Sequence, residues 1–168
     1  MDAGDALTKG AQIAVAFAGL TAVVFVRRGA VVHAWPKADK FRLMLLLTTS
    51  ILPFALCLLG LLLLGVGITE TAVWRWCSGI AAVLFFTGSL LYSRTFLGIS
   101  KRELRKVEAS RLVYWTFSAL GIALGLLQIY NAAALGKFWP VFTFIVASLL
   151  VSIVQFLRLI LTRSVQLQ

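Results

Sequence analysis

The stretch Leu43–Ile68, LMLLLTTSILPFALCLLGLLLLGVGI, contains no charged residue. As a helix rising 1.5 Å per residue it would reach about 39 Å, more than the roughly 30 Å of hydrocarbon in a bilayer. An apolar run of that length without charge reads as a membrane-spanning helix, with residues to spare for tilt.

Four more blocks of the same kind flank it. One runs from about Leu7 to Val26, its uncharged part beginning at Ala11; the others are Cys77–Ile99, Leu112–Gly136 and Phe138 to about Leu161. The whole chain of 168 residues is 61% hydrophobic and 13% charged, with a mean hydropathy of +0.97. Soluble domains hold about half apolar and about a quarter charged residues. The expected fold is all-α: a single polytopic transmembrane helical bundle of about five spans, or four if the first block does not cross. That block does not read as a signal peptide, because MDAGD is acidic where a positive start is needed and no A-x-A-like site follows. It also lacks the basic polar face of an interfacial helix.

The net charge of +10 comes from 16 Lys and Arg against 6 Asp and Glu. With the amino terminus outside, the segments Arg27 to Arg42, Arg94 to Arg111 and the tail after the fifth span all face the cytoplasm. They hold thirteen of the sixteen basic residues, leaving Lys9, Arg75 and Lys137 outside. Loops rich in Lys and Arg resist translocation, so the charges favour this orientation, which puts the carboxyl terminus inside. Lys101, Arg102, Arg105 and Lys106 then form a cationic cluster suited to anionic lipid on the cytoplasmic side, at about 1 kcal/mol per residue. Arg42, Arg94, Arg111 and Arg158 fall at the inner ends of four spans, where their stems can snorkel to headgroups. Converging around an axis, they would instead make an anion-favouring vestibule. Nucleic acid is not an expected partner, since the basic residues lack the interleaved aromatics of a single-strand platform.

The tryptophans agree with this layout, because Trp and Tyr favour the membrane interfaces. Trp74, Trp76 and Trp139 fall at outer boundaries and Trp35 and Trp115 at inner ones, with Tyr92 and Tyr114 beside them. The segments AQIAVAFAGLTAVVFVRRG and WPKADKFRL, followed by Pro53 and by Trp74-Arg75, resemble a group of small multi-pass bacterial inner-membrane proteins with no assigned function. The likeness covers roughly the first half of the chain. It implies a bacterial inner membrane and carries over no functional residue.

Within lipid, helices associate through close packing of small residues and through interhelical hydrogen bonds. On the fourth block Tyr114, Ser118, Gly121, Gly125 and Gln128 recur every four or three residues and share a stripe that contains a GxxxG. Comparable stripes are Ala11, Ala14, Ala18 and Ala22 on the first block, Thr49, Pro53, Cys57 and Gly60 on the second, and Ser148, Ser152 and Gln155 on the fifth. Such stripes serve packing within the chain, packing between copies, or the lining of a wet path. Pro53 removes the backbone bond to Thr49 and is expected to kink its helix, with the hydroxyl of Thr48 or Thr49 serving the freed carbonyl.

Chemistry-bearing patterns are sparse. The apolar interiors of the blocks hold no Asp or Glu, which argues against cation-coupled transport. Asp39 reads as a helix cap. His33 is the only histidine, and no HExxH, G-x-S-x-G or phosphate-binding glycine loop occurs. Cys57 and Cys77 fit no CxxC or zinc spacing and read as packing residues. The sequence thus points to no catalytic residue, no metal and no cofactor. Its expected role is a non-enzymatic membrane interaction or structural component that forms homo-oligomers or joins another membrane protein. The alternative is an oligomeric ion channel or small-solute facilitator, with Gln128, Ser148, Ser152 and Gln155 on the water side.

Overall fold

The computed structural model describes residues 2–27, 37–97 and 110–164, with side chains placed over 2–23, 43–91 and 118–157. Its elements are helices α1 (Ala3–Arg27), α2 (Lys37–Gly65), α3 (Glu70–Leu97), α4 (Ser110–Tyr130, prolonged by a π turn, Asn131–Leu135) and α5 (Phe138–Ser164). No strand occurs among the described residues. Each helix holds a segment long and apolar enough to cross a membrane: Ala3–Val23, Leu43–Gly65, Glu70–Leu91, Ser118–Leu135 and Phe138–Leu157. At most 33% of any such segment is buried inside the protein. The remainder exposes side chains such as Leu62, Val83, Leu126 and Leu150. Contiguous apolar surface on that scale needs lipid as its solvent. The fold is that of a multi-pass helical membrane protein.

Four helices start earlier than the apolar count expects: α1 at Ala3 instead of Leu7, α2 at Lys37 instead of Leu43, α3 at Glu70 instead of Cys77 and α4 at Ser110 instead of Leu112. A hydropathy count stops at the first charges, but a carboxylate in the first turn stabilises a helix through its dipole. Asp5 and Glu70 hold those positions in α1 and α3. The Thr69 carbonyl accepts from the Ala72 and Val73 N–H groups and opens α3. Lys9 and Trp74–Trp76 are therefore helical. At its other end α2 stops at Gly65, short of Ile68. Gly67 there takes φ +79°, its N–H bonds the Leu64 carbonyl, and the Ile68 N–H reaches back to Leu63. This is the Schellman arrangement, and its left-handed position suits glycine.

The chain gathers into two compact units, one of Met1–Ile68 with Phe142–Gln168 and one of Thr69–Val141. In the first, α1 buries Ala6, Leu7, Gly10, Ala14 and Thr21. A Cβ on Gly10 would lie 3.1 Å from Cys57 Sγ and 3.7 Å from Ile145 Cγ2, so glycine sets the closest approach of α1 to its neighbours. The alanine stripe expected on α1 is buried only in part: Ala11 and Ala14 face inward, Ala18 is half-buried and Ala22 is exposed. The inward face runs instead through Gly10, Ala14 and Thr21, to one side of the alanine stripe, at intervals of four and seven residues that stay on one face of a helix. On α2 the expected face holds, with Pro53, Cys57 and Gly60 buried and Thr49 half-buried.

In the second unit the GxxxG of α4 receives a ring from α3. A Cβ on Gly121 would meet Phe85 Cζ at 2.9 Å, and one on Gly125 would meet Phe85 Cδ1 at 2.9 Å and Phe86 Cζ at 3.1 Å. The two glycines form the floor of a slot for Phe85, whose ring lies edge-on to Phe86 at 5.5 Å between centroids. Trp74 is buried against Phe138, with centroids 4.9 Å apart and planes at 57°.

Candidate functional site

Polar side chains inside a span draw attention first, since each must find a partner where water is scarce. In the first unit they form a hydroxyl cluster between α2 and α5. Thr49 donates to the Leu45 carbonyl at 2.9 Å and Ser50 to the Leu46 carbonyl at 2.9 Å, bonds that keep each proton within its own helix. Their oxygens remain acceptors. Ser152 Oγ lies 2.9 Å from Thr49 Oγ1, 3.3 Å from Ser50 Oγ and 3.1 Å from the Ser148 carbonyl. Having one proton, Ser152 donates to Thr49 or to Ser148, and either choice leaves every hydroxyl hydrogen placed. Ser148 donates to the Phe144 carbonyl at 2.8 Å, and Gln155 is buried one turn beyond Ser152.

Pro53 is buried one turn after Thr49, and α2 runs on through it. The Thr49 hydroxyl does not serve the carbonyl that the proline frees. It bonds the preceding turn, at Leu45 and Leu46, because a threonine Oγ1 in a helix reaches carbonyls three and four residues back and not its own.

The second unit centres on Asn131, which is fully buried at the first position of the π turn. Its Nδ2 donates to Ser78 Oγ at 2.7 Å and to the Lys137 carbonyl at 3.0 Å, while its Oδ1 accepts from the Lys137 N–H at 2.9 Å. The carboxamide thus pairs with both backbone groups of Lys137 and also ties the turn to α3. The widened turn lets the Asn131 carbonyl accept from the Gly136 N–H at 2.8 Å, and Gly136 closes α4 in the left-handed region at φ +58°. Gly136 sits hard against α3, since a Cβ there would meet Thr71 Cγ2 at 2.5 Å, the Thr71 carbonyl at 3.1 Å and Arg75 Nε at 3.3 Å. Three residues before Asn131, Gln128 is fully buried and donates from Nε2 to the Pro140 carbonyl at 2.8 Å. Its Oε1 is buried with no hydrogen-bond partner among the described residues.

The chain matches no family model, no curated protein and no solved structure. Its own geometry is therefore what speaks to function.

Of the stripe read on the fourth block, Gly125 and Gln128 are buried and Ser118 and Gly121 half-buried, so the face turns inward within its unit. On α5, Ser152 and Gln155 are buried and Ser148 half-buried. The basic set Arg42, Arg94, Lys101, Arg102, Arg105, Lys106, Arg111 and Arg158 lies outside the described side chains, as do His33, Trp35, Asp39, Tyr92, Tyr114 and Trp115. Among the three outer tryptophans, Trp76 and Trp139 are exposed, whereas Trp74 is spent on packing. Cys57 and Cys77 are buried free thiols. Among the described residues no three of His, Cys, Asp and Glu come together to hold a metal ion. Asn131, Ser78, Ser50 and Phe85 were not legible as contact residues. Asn131 precedes a Gly by five positions near the end of an apolar block, a signal for a helix terminus; its partner Ser78 lies 53 residues away, which no local pattern reveals.

Proposed function

We propose that this chain is a non-enzymatic component of the bacterial inner membrane that self-associates and organises other membrane constituents. Its amino terminus faces outward and its carboxyl terminus the cytoplasm. The observation that carries the reading is where the polar groups of the spans go. Ser152 bonds Thr49 between α5 and α2, Asn131 bonds Ser78 and Lys137, and Gln128 bonds Pro140. Groups used this way hold helices together, whereas a channel or facilitator needs them turned toward a wet path. The basic connections supply contacts to anionic lipid headgroups on the cytoplasmic side.

Two measurements on the purified full chain test this. Reconstituted into liposomes, it should give chloride flux no greater than empty liposomes. In nanodiscs formed directly from membranes, its mass should be that of a dimer or larger. Flux that depends on the protein, and that changes in Gln128→Leu, would establish the facilitator instead, and a monomer would remove self-association.

A further inference from the structure

The stripes that the sequence offers for contact between copies are occupied from within: Phe85 fills the GxxxG of α4, and Ser152 meets α2. The outer face of α1 differs. Asp5, Lys9, Gln12, Ala16, Gly19 and Val23 follow one another at intervals of four, three, four, three and four, and all six are exposed. That is a strict heptad seam, the spacing that supports a left-handed pair of helices. A Cβ on Gly19 would have no atom within 4 Å, so the seam is open at its smallest residue.

Gln12 lies at the middle of the candidate span Ala3–Val23. No hydrogen bond joins it to another described residue. It borders a groove of about 400 Å³ lined also by Thr8, Ala11, Val15, Phe54, Leu58 and Leu61, and the hydroxyl of Thr8, the other polar side chain there, donates to the Gly4 carbonyl at 2.9 Å. A carboxamide left unpaired in hydrocarbon is costly.

We infer that α1 pairs with α1 of a second copy through this seam, with Gln12 at the centre. This rests on the self-association proposed above and names its surface. The chemistry selects a second copy because a twofold contact sets each residue beside its own counterpart, so the face must complement itself. A carboxamide does, giving one N–H and taking one carbonyl oxygen. Asp5 and Lys9, one turn apart, do as well, since each ammonium can reach the other chain's carboxylate. Ala16 and Gly19 allow the two backbones to approach closely below them, as membrane helix pairs require.

The test is disulfide trapping in native membranes, in the full chain with Cys57→Ala and Cys77→Ala. Oxidation should link Ala16→Cys and Gly19→Cys into dimers at least tenfold faster than Ile13→Cys and Leu20→Cys, which are exposed off the seam. Gln12→Leu, a change on the protein surface, should weaken the dimer roughly tenfold, the size of one or two interhelical hydrogen bonds in a bilayer. Gln12→Asn should retain most of the affinity. Equal linking on and off the seam, or a Gln12→Leu dimer as tight as the parent, overturns the α1 contact while self-association through another face stands. A parent protein that is monomeric in nanodiscs overturns both.

Discussion

Replacing Gly136 by alanine should be among the most damaging single-methyl additions in this protein, and the cost divides into two parts. The residue holds φ +58°, in the left-handed region, where a Cβ costs roughly 1–2 kcal/mol. The same Cβ would stand 2.5 Å from Thr71 Cγ2 and 3.1 Å from the Thr71 carbonyl, an overlap that requires α3 or the turn to shift. Overpacking of that kind adds roughly 1–3 kcal/mol, for a total of about 2–5 kcal/mol. Gly67 supplies the control. It holds φ +79° with nothing within 4 Å of a Cβ, so Gly67→Ala should show the backbone part alone, about 1–2 kcal/mol. Unfolding by SDS titration from mixed micelles, followed by tryptophan fluorescence, measures both. Thr71→Ser removes the methyl at 2.5 Å and should recover part of the Gly136→Ala loss but none of the Gly67→Ala loss. If the two glycine variants are destabilised equally, or Thr71→Ser rescues neither, the close seating of the α4–α5 turn on α3 is wrong.

Gly125→Ala should destabilise by about 1–3 kcal/mol through collision with Phe85 and Phe86, and Phe85→Leu in the same chain should restore much of the loss; a double-mutant cycle by SDS titration reads the coupling. Asn131→Ala removes three hydrogen bonds and leaves the part-buried Lys137 N–H without its acceptor, which should cost about 2–3 kcal/mol in the same titration. Asn131→Asp should not rescue it, because a carboxylate cannot donate to Ser78 or to the Lys137 carbonyl.

The five helices were legible because length and unbroken hydropathy are local properties, and the slab they must cross is thicker than any soluble core. Helix starts were less so: Asp5 and Glu70 look like ends to a hydropathy count, yet they are what a helix dipole accepts. On α2, α4 and α5 three-four spacing picks out polar and small residues that are buried or half-buried. What filled those faces did not follow. A GxxxG announces a place where something comes close, but the partner is the bulky Phe85, about forty residues earlier in the sequence. The Asn131–Ser78 bond was hidden for the same reason, distance along the chain. On α1 the alanines mark one stripe while the buried face follows Gly10, Ala14 and Thr21, leaving the polar seam through Gln12 outward. The thirteen basic residues expected on the cytoplasmic side have side chains outside the described residues.

A five-span topology requires all five helices to cross the bilayer, α1 included despite Asp5 and Lys9. Paired reporter fusions at Met1 and Gln168, one reporter active only in the cytoplasm and one only beyond the inner membrane, test it directly. Crossing by all five predicts termini on opposite sides, with Gln168 and an inserted reporter between Lys101 and Lys106 both cytoplasmic. Both termini on one side would mean that α1 does not span, and an external reporter at Lys101–Lys106 would reverse the orientation.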